Sequence, residues 1–216
     1  MREAQAVTDP APPSPDLLAA CEASHARLDA RLAVVDDETV RRPSRLAGWS
    51  IGHVLTHLAR NADSFVRMLE AAAGGASAPQ YPGGTDQRNE EIEAGARRNA
   101  TAIVADVRSA SRRLDDAFAA ATPLAWSGRG LAPEGLPAPL IARLPLRRLR
   151  EVELHHVDLG LGYEPEDWPE EFVALVLPEE LARVPARIAD PRQRAAVLAW
   201  VAGRRGSPGE VELAPF

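Results

Sequence analysis

Four stretches of this 216-residue chain carry apolar residues at steps of three and four, and segments rich in Gly and Pro separate them. That period puts the apolar side chains on one stripe of an α-helix. The first stretch, with Leu17, Leu18, Cys21, His25, Leu28, Leu32 and Val35, follows Ser14-Pro15-Asp16. Serine as N-cap, proline at the first helical position and an acid in the first turn predict a helix start there, with the end near Asp36. Ser50 caps a second helix whose core side is Ile51, Val54, Leu55, Leu58, Ala62, Phe65, Val66 and Leu69, ending near Gly74-Gly75. A third is predicted to begin at Asp86 and run, with interruptions, to about Ala121 through Ile92, Ile103, Val104, Val107, Leu114 and Phe118. The fourth runs from near Leu140 to Leu159 and is stopped by Gly160-Leu161-Gly162.

The predicted fold class is therefore mainly α: an antiparallel four-helix bundle over residues 15–162. A Pro-rich, disordered lead-in is predicted over 1–14. Residues 163–216 predict a smaller lobe. It has one helix after Asp167-Trp168-Pro169, another after Asp190-Pro191 that closes at Gly203, and one short strand from Val211 to Leu213. The irregular stretches 74–86 and 122–139 are of the length that borders a site or covers a bundle.

The formal charge of −6 and pI of about 5.4 argue against nucleic acid or an anionic membrane as the main partner. One cysteine, Cys21, allows no intramolecular disulfide and no cysteine-based zinc cluster, which fits a reducing cytoplasm. Met1 to Pro15 holds no apolar run of the signal-peptide kind, and no run of 18 apolar residues exists. A soluble, cytoplasmic protein is expected.

The fourth stretch also carries chemistry. In Arg150-Glu151-Val152-Glu153-Leu154-His155-His156-Val157-Asp158, Glu151 and His155 are four apart. They leave one helix face a turn apart and present half of a divalent-metal site. Two of the other three histidines, His53 and His57, lie on the second helix. His57 is nearer the apolar stripe through Leu58 and Phe65, so His57, Glu151 and His155 are the candidate ligands. His53 with His57, and Glu153 with His156, are competing pairs. Ordinary polar residues on helix surfaces and caps are the plain alternative, because Glu-x-x-x-His recurs by chance. His25, on the apolar stripe of the first helix, is expected to be a partly buried, hydrogen-bonded histidine.

Gly48-Trp49-Ser50-Ile51-Gly52-His53-Val54-Leu55-Thr56-His57-Leu58-Ala59-Arg60-Asn61-Ala62-Asp63 resembles the signature of the mycothiol-dependent maleylpyruvate isomerase family, part of the wider DinB-like metalloprotein fold. Arg88-Asn89-Glu90-Glu91-Ile92 resembles that family's third-helix opening. The stretch from Arg150 to Leu159 resembles its fourth-helix motif, and Ala202-Gly203-Arg204 its C-terminal Ala-Gly-Arg. The resemblance implies a DinB-like bundle with a metal, usually zinc, on His57, Glu151 and His155, and a catalytic arginine at Arg204. It implies mycothiol as the thiol cofactor and conversion of maleylpyruvate to fumarylpyruvate. The C-terminal stretch departs from the family pattern. The family carries a larger lobe with several strands, whereas about forty helical-looking residues separate Gly162 from Gly203 here.

The implied chemistry needs a nucleophile that adds to a double bond, permits rotation and leaves. Cys21 lies on an apolar stripe and is expected to be inert core, so the thiol comes from outside. Arg204, with Arg205 beside it, would pair with a substrate carboxylate; complementing a helix dipole is the other reading of both. Asp158 or Glu153 would orient a ligating histidine. The expected partners are a small thiol and a small anionic electrophile, with the chain a monomer or homodimer. Two rivals share most of these features: a mycothiol S-transferase and a non-catalytic metal-binding bundle. A third is a helical protein without metal.

Overall fold

The apolar stripes become helices in the computed structural model, which describes residues 11–132, 138–204, 206–211 and 213. The chain divides into two compact units, Met1–Trp168 and Pro169–Phe216. In the first unit, α1 spans Pro15–Leu32, α2 Asp37–Arg41, α3 Ile51–Ala73, α4 Gly84–Ala96, α5 Ala100–Ala120, α6 Pro123–Ser127 and α7 Leu144–Asp158. A 3-10 turn at Ile141–Arg143 leads into α7, and another follows it at Pro165–Asp167.

The four long helices form a ring of neighbours: α1 against α7, α7 against α3, α3 against α5, and α5 against α1. This is the mainly helical bundle that the stripes predict, and it agrees with the DinB-like bundle that the resemblance implies. Helix α3 supplies most of its centre, with Ile51, Val54, Leu55, Leu58, Phe65 and Met68 wholly buried. Each such large side chain stabilises the fold by ~1.5–3 kcal/mol on leaving water. Leu28 and Leu32 of α1, Ile103 and Leu114 of α5, and Leu149 and Val152 of α7 close the core around it. No helix among the described residues is long and apolar enough to cross a membrane.

Caps decide where the helices begin. Ser14 accepts from the Leu17 N–H and Ser50 from the His53 N–H, as their sequence positions predict. The predicted third helix is instead two helices. Asn99 leaves the helical path and accepts from the Ala102 N–H, starting α5 afresh. The carbonyls thereby freed at the end of α4 are taken up by Arg41 of α2, which donates to Ala96 O, Arg97 O and Arg98 O at 2.6–3.0 Å. Asp37 accepts from the Ala100 N–H at 2.6 Å, so α2 holds both sides of the break. Helix α1 likewise ends at Leu32 and not near Asp36, because the Asp36 carboxylate caps α2 through the Thr39 N–H at 2.8 Å.

Helix α4 rides close on α3. A Cβ at Gly95 would come within 2.2 Å of Thr56 Cγ2, so only glycine allows this approach. The loop after α3 is tied down in turn. Leu131 N–H donates to Ala78 O at 2.9 Å, and Arg67 Nη2 donates to Gln80 O at 3.0 Å.

In the second unit α8 spans Glu170–Arg187 and α9 spans Pro191–Val201, with the Asp190 side chain accepting from the Arg192 N–H. The strand expected from Val211 to Leu213 is not formed at its described ends: Val211 and Leu213 are irregular, and Glu212 lies outside the described residues. Residues 1–10 of the expected lead-in, residues 133–137 of the second loop, and Arg205 also lie outside them.

Candidate metal centre

His57 is buried on α3 and faces α7, where Glu151 and His155 stand one turn apart. His57 Nε2 lies 2.9 Å from Glu151 Oε2, and His155 Nε2 lies 3.6 Å from the same oxygen. One ligand atom from each of the three residues falls within 4.8 Å of the other two. The two imidazoles meet edge to face with centroids 4.9 Å apart, and the Trp49 ring stands 5.7 Å from His57. Helical spacing accounts for the α7 pair. The α3 partner arrives because Val54, Leu55 and Leu58 bury the adjoining face of α3 and turn position 57 toward α7.

The electrostatics prepare these groups unequally. Burial pushes the His57 pKa down, outweighing its hydrogen bond to Glu151. Burial also opposes the charge on Glu151, but hydrogen bonds with His155 and His57 prevail and hold its carboxyl well below the usual range. At His155 burial opposes protonation, yet bonds to Asp158 and Glu151 raise its pKa to about 9. Asp158 Oδ2 lies 2.9 Å from His155 Nδ1, which fixes the ring with Nε2 turned toward Glu151. Arg88 of α4 lies 3.2 Å from His57 Nδ1; a guanidinium can only donate, so Nδ1 accepts and Nε2 carries the proton shared with Glu151.

Two imidazole nitrogens and a carboxylate facing one point are the donor set that divalent zinc takes in sites that keep a position open for water or substrate. The three residues fit such an ion in donor type and in convergence.

The competing sequence pairs go elsewhere. His53 completes the N-terminal cap of α3, with Nδ1 2.7 Å from Ser50 Oγ and Nε2 3.3 Å from Glu93. Glu153 is wholly buried and accepts from Ser24 Oγ at 2.6 Å, Arg27 Nη2 at 2.5 Å and Tyr163 OH at 2.5 Å. It ties α1 to α7 and orients no cluster histidine. His156 stacks on Tyr163 with centroids 3.8 Å apart. Arg204 follows α9 in the second unit and is exposed.

A second group of donors, Cys21, His25 and Asp115, also converges. Its imidazole is already committed at both nitrogens: Nδ1 to Asp115 at 2.8 Å, and Nε2 to the Nε–H of Arg148 at 2.9 Å. That leaves no lone pair for a cation and makes His25 the buried, hydrogen-bonded histidine its position predicts. Arg148 is fully buried and donates further to Leu58 O and Asn61 Oδ1. An arginine inside the bundle, and Tyr81, Arg88 and Arg147 around the cluster, have no periodic signature. The sequence clues are that Arg147 precedes Glu151 by four and that Arg88 opens the stretch resembling the family's third helix.

A family model described as the mycothiol maleylpyruvate isomerase N-terminal domain matches residues 21–160. The crystal structure of a mycothiol-dependent maleylpyruvate isomerase superposes with a TM-score of 0.75 at 25% identity, covering 93% of this chain and 95% of that one. A histidine-to-alanine variant of such an isomerase gives 0.76 at 24% identity over the same shares. No curated protein matches the chain.

Proposed function

The chain belongs to the mycothiol maleylpyruvate isomerase family of enzymes, and on that premise we propose that it converts maleylpyruvate to fumarylpyruvate with the help of mycothiol and a divalent metal. The observation that carries this reading is the convergence of His57, Glu151 and His155 on one point between α3 and α7.

Zinc held by His57 Nε2, a Glu151 oxygen and His155 Nε2 would supply the positive charge that lets an external thiol react as thiolate near neutral pH. The thiolate forms a carbon–sulfur bond to one alkene carbon, and the π electron pair moves into the adjoining carbonyl as an enolate. Rotation follows about what is now a single bond. The pair then returns, the carbon–sulfur bond breaks, and the thiol is regenerated with the alkene trans. The protein's own thiol does not serve, because Cys21 is wholly buried and burial pushes it up to about 12. Asp158 positions His155 through Nδ1. Arg204 is assigned the substrate carboxylate and the charge that grows on the enolate oxygen.

The test is metal content by mass spectrometry on untagged protein with the His57→Ala and Glu151→Ala variants, followed by maleylpyruvate turnover with and without mycothiol. About one zinc per chain, lost in both variants, together with thiol-dependent isomerisation, is expected. Stoichiometric loss of thiol would make the protein an S-transferase. Metal without any thiol-dependent turnover would make it a binding bundle. Wild-type protein that takes up no metal after zinc reconstitution would overturn the metalloenzyme reading. Arg204→Ala with undiminished turnover would remove that residue from the mechanism.

A further inference from the structure

One turn before Glu151, roughly 6 Å along α7, Arg147 faces a groove walled by Gln80, Tyr81, Pro82, Leu131 and Pro139. Its guanidinium sits 5.4 Å over the Phe65 ring and donates to Gln80 Oε1 at 3.3 Å, a neutral acceptor at long range. Among the described residues no carboxylate pairs with it, although the chain carries six more acids than bases. The nearby Glu151 charge is already shared between His57 and His155.

On the same wall the Tyr81 hydroxyl is buried. It lies near Arg88 and Ser64 but meets hydrogen-bond geometry with neither. A buried hydroxyl without a partner is rare in a native fold, so its place calls for an explanation. Burial also pushes its pKa up, so it stays a donor. Arg88 stacks near the ring of Tyr81 at 5.9 Å and adds a second positive charge to that side.

We propose that Arg147 and the Tyr81 hydroxyl form a carboxylate-binding wall beside the His57–Glu151–His155 cluster, where one end of a small dicarboxylate is anchored. This rests on the preceding reading that the substrate is a small anion. A planar guanidinium and a hydroxyl donor match the two oxygens of a carboxylate.

Isothermal titration of the full-length protein with maleate (cis-butenedioate) tests this without relying on turnover. Wild type is expected to bind, and Arg147→Met to bind roughly 10- to 100-fold more weakly. Tyr81→Phe should lose several-fold, and Arg147→Lys should bind better than Arg147→Met. Metal content and thermal midpoint should be unchanged in Arg147→Met, because methionine keeps the packing on Phe65. Wild type that fails to bind maleate overturns the proposal, as does Arg147→Met that binds equally well. If Arg147→Met does not fold, Arg147→Lys and Tyr81→Phe decide: wild-type affinity in both overturns it. Turnover of maleylpyruvate separates the two readings. Isomerisation without Arg147-dependent maleate binding removes the wall and keeps the reaction. Arg147-dependent binding without isomerisation keeps the wall and removes the reaction.

Discussion

Arg148 donates from its Nε to His25 Nε2 at 2.9 Å in the middle of the bundle, joining α7 to α1 where no water reaches. The same guanidinium supplies Leu58 O, Asn61 Oδ1 and Ser111 Oγ. Replacing it with alanine strands four acceptors and opens a cavity. Arg148→Ala is expected to destabilise the fold by about 3–5 kcal/mol, read as a lower urea midpoint. Arg150→Ala, on the same helix and only partly buried, should lose far less.

His25 makes stability depend on pH. Burial pushes its pKa below the ordinary value of about 6.5. The unfolded chain therefore takes up this proton first as pH falls. The stability that His25 contributes is complete above about pH 6.5 and is lost below it, by up to ~1.4 kcal/mol per pH unit for one proton. Between pH 7.5 and 5.5 the urea midpoint of wild type should fall more steeply than that of His25→Gln. Equal slopes would show that this histidine is not the group that titrates.

Cys21 should be chemically silent in the folded protein. Its thiol is wholly buried and pushed up to about 12 by that burial. Ellman's reagent at pH 8 should label no thiol in native protein and one per chain in denaturant. Cys21→Ala should keep its mycothiol-dependent turnover. Rapid native labelling would mean that α1 opens locally.

Arg88 and a cation held as proposed would compete for the orientation of His57. With Nε2 ligating a metal, the ring's proton would sit on Nδ1, facing a guanidinium that cannot accept it. Arg88→Gln places an acceptor at that position and should tighten zinc binding several-fold in a chelator competition. Unchanged or weaker binding would mean that Arg88 already turns away at no cost.

Helix starts were legible in this chain wherever a residue caps its own helix, as Ser14 and Ser50 do. The break between α4 and α5 was not, because its determinants Arg41 and Asp37 reach it from 55 and 63 residues away. Spacing revealed the Glu151–His155 pair, and the apolar stripe through Leu58 and Phe65 pointed to His57 over His53 as the α3 partner. The burial that turns His57 toward α7, and leaves His53 as a cap, is a property of the packed bundle. Tyr81 and Arg147 escaped notice for a related reason. A single polar side chain has no period, and its meaning comes from a wall that exists only once two loops are tied together.

Gly95 touches none of these groups, yet it sets how far α4, and Arg88 with it, stands from His57. A methyl group at that position would act as a wedge against Thr56, the neighbour of His57, and tilt α4 outward while every donor on α7 kept its place. The cluster is thus tuned from outside itself: one substitution at a helix crossing would change what His57 Nδ1 meets while Glu151 and His155 stayed in place.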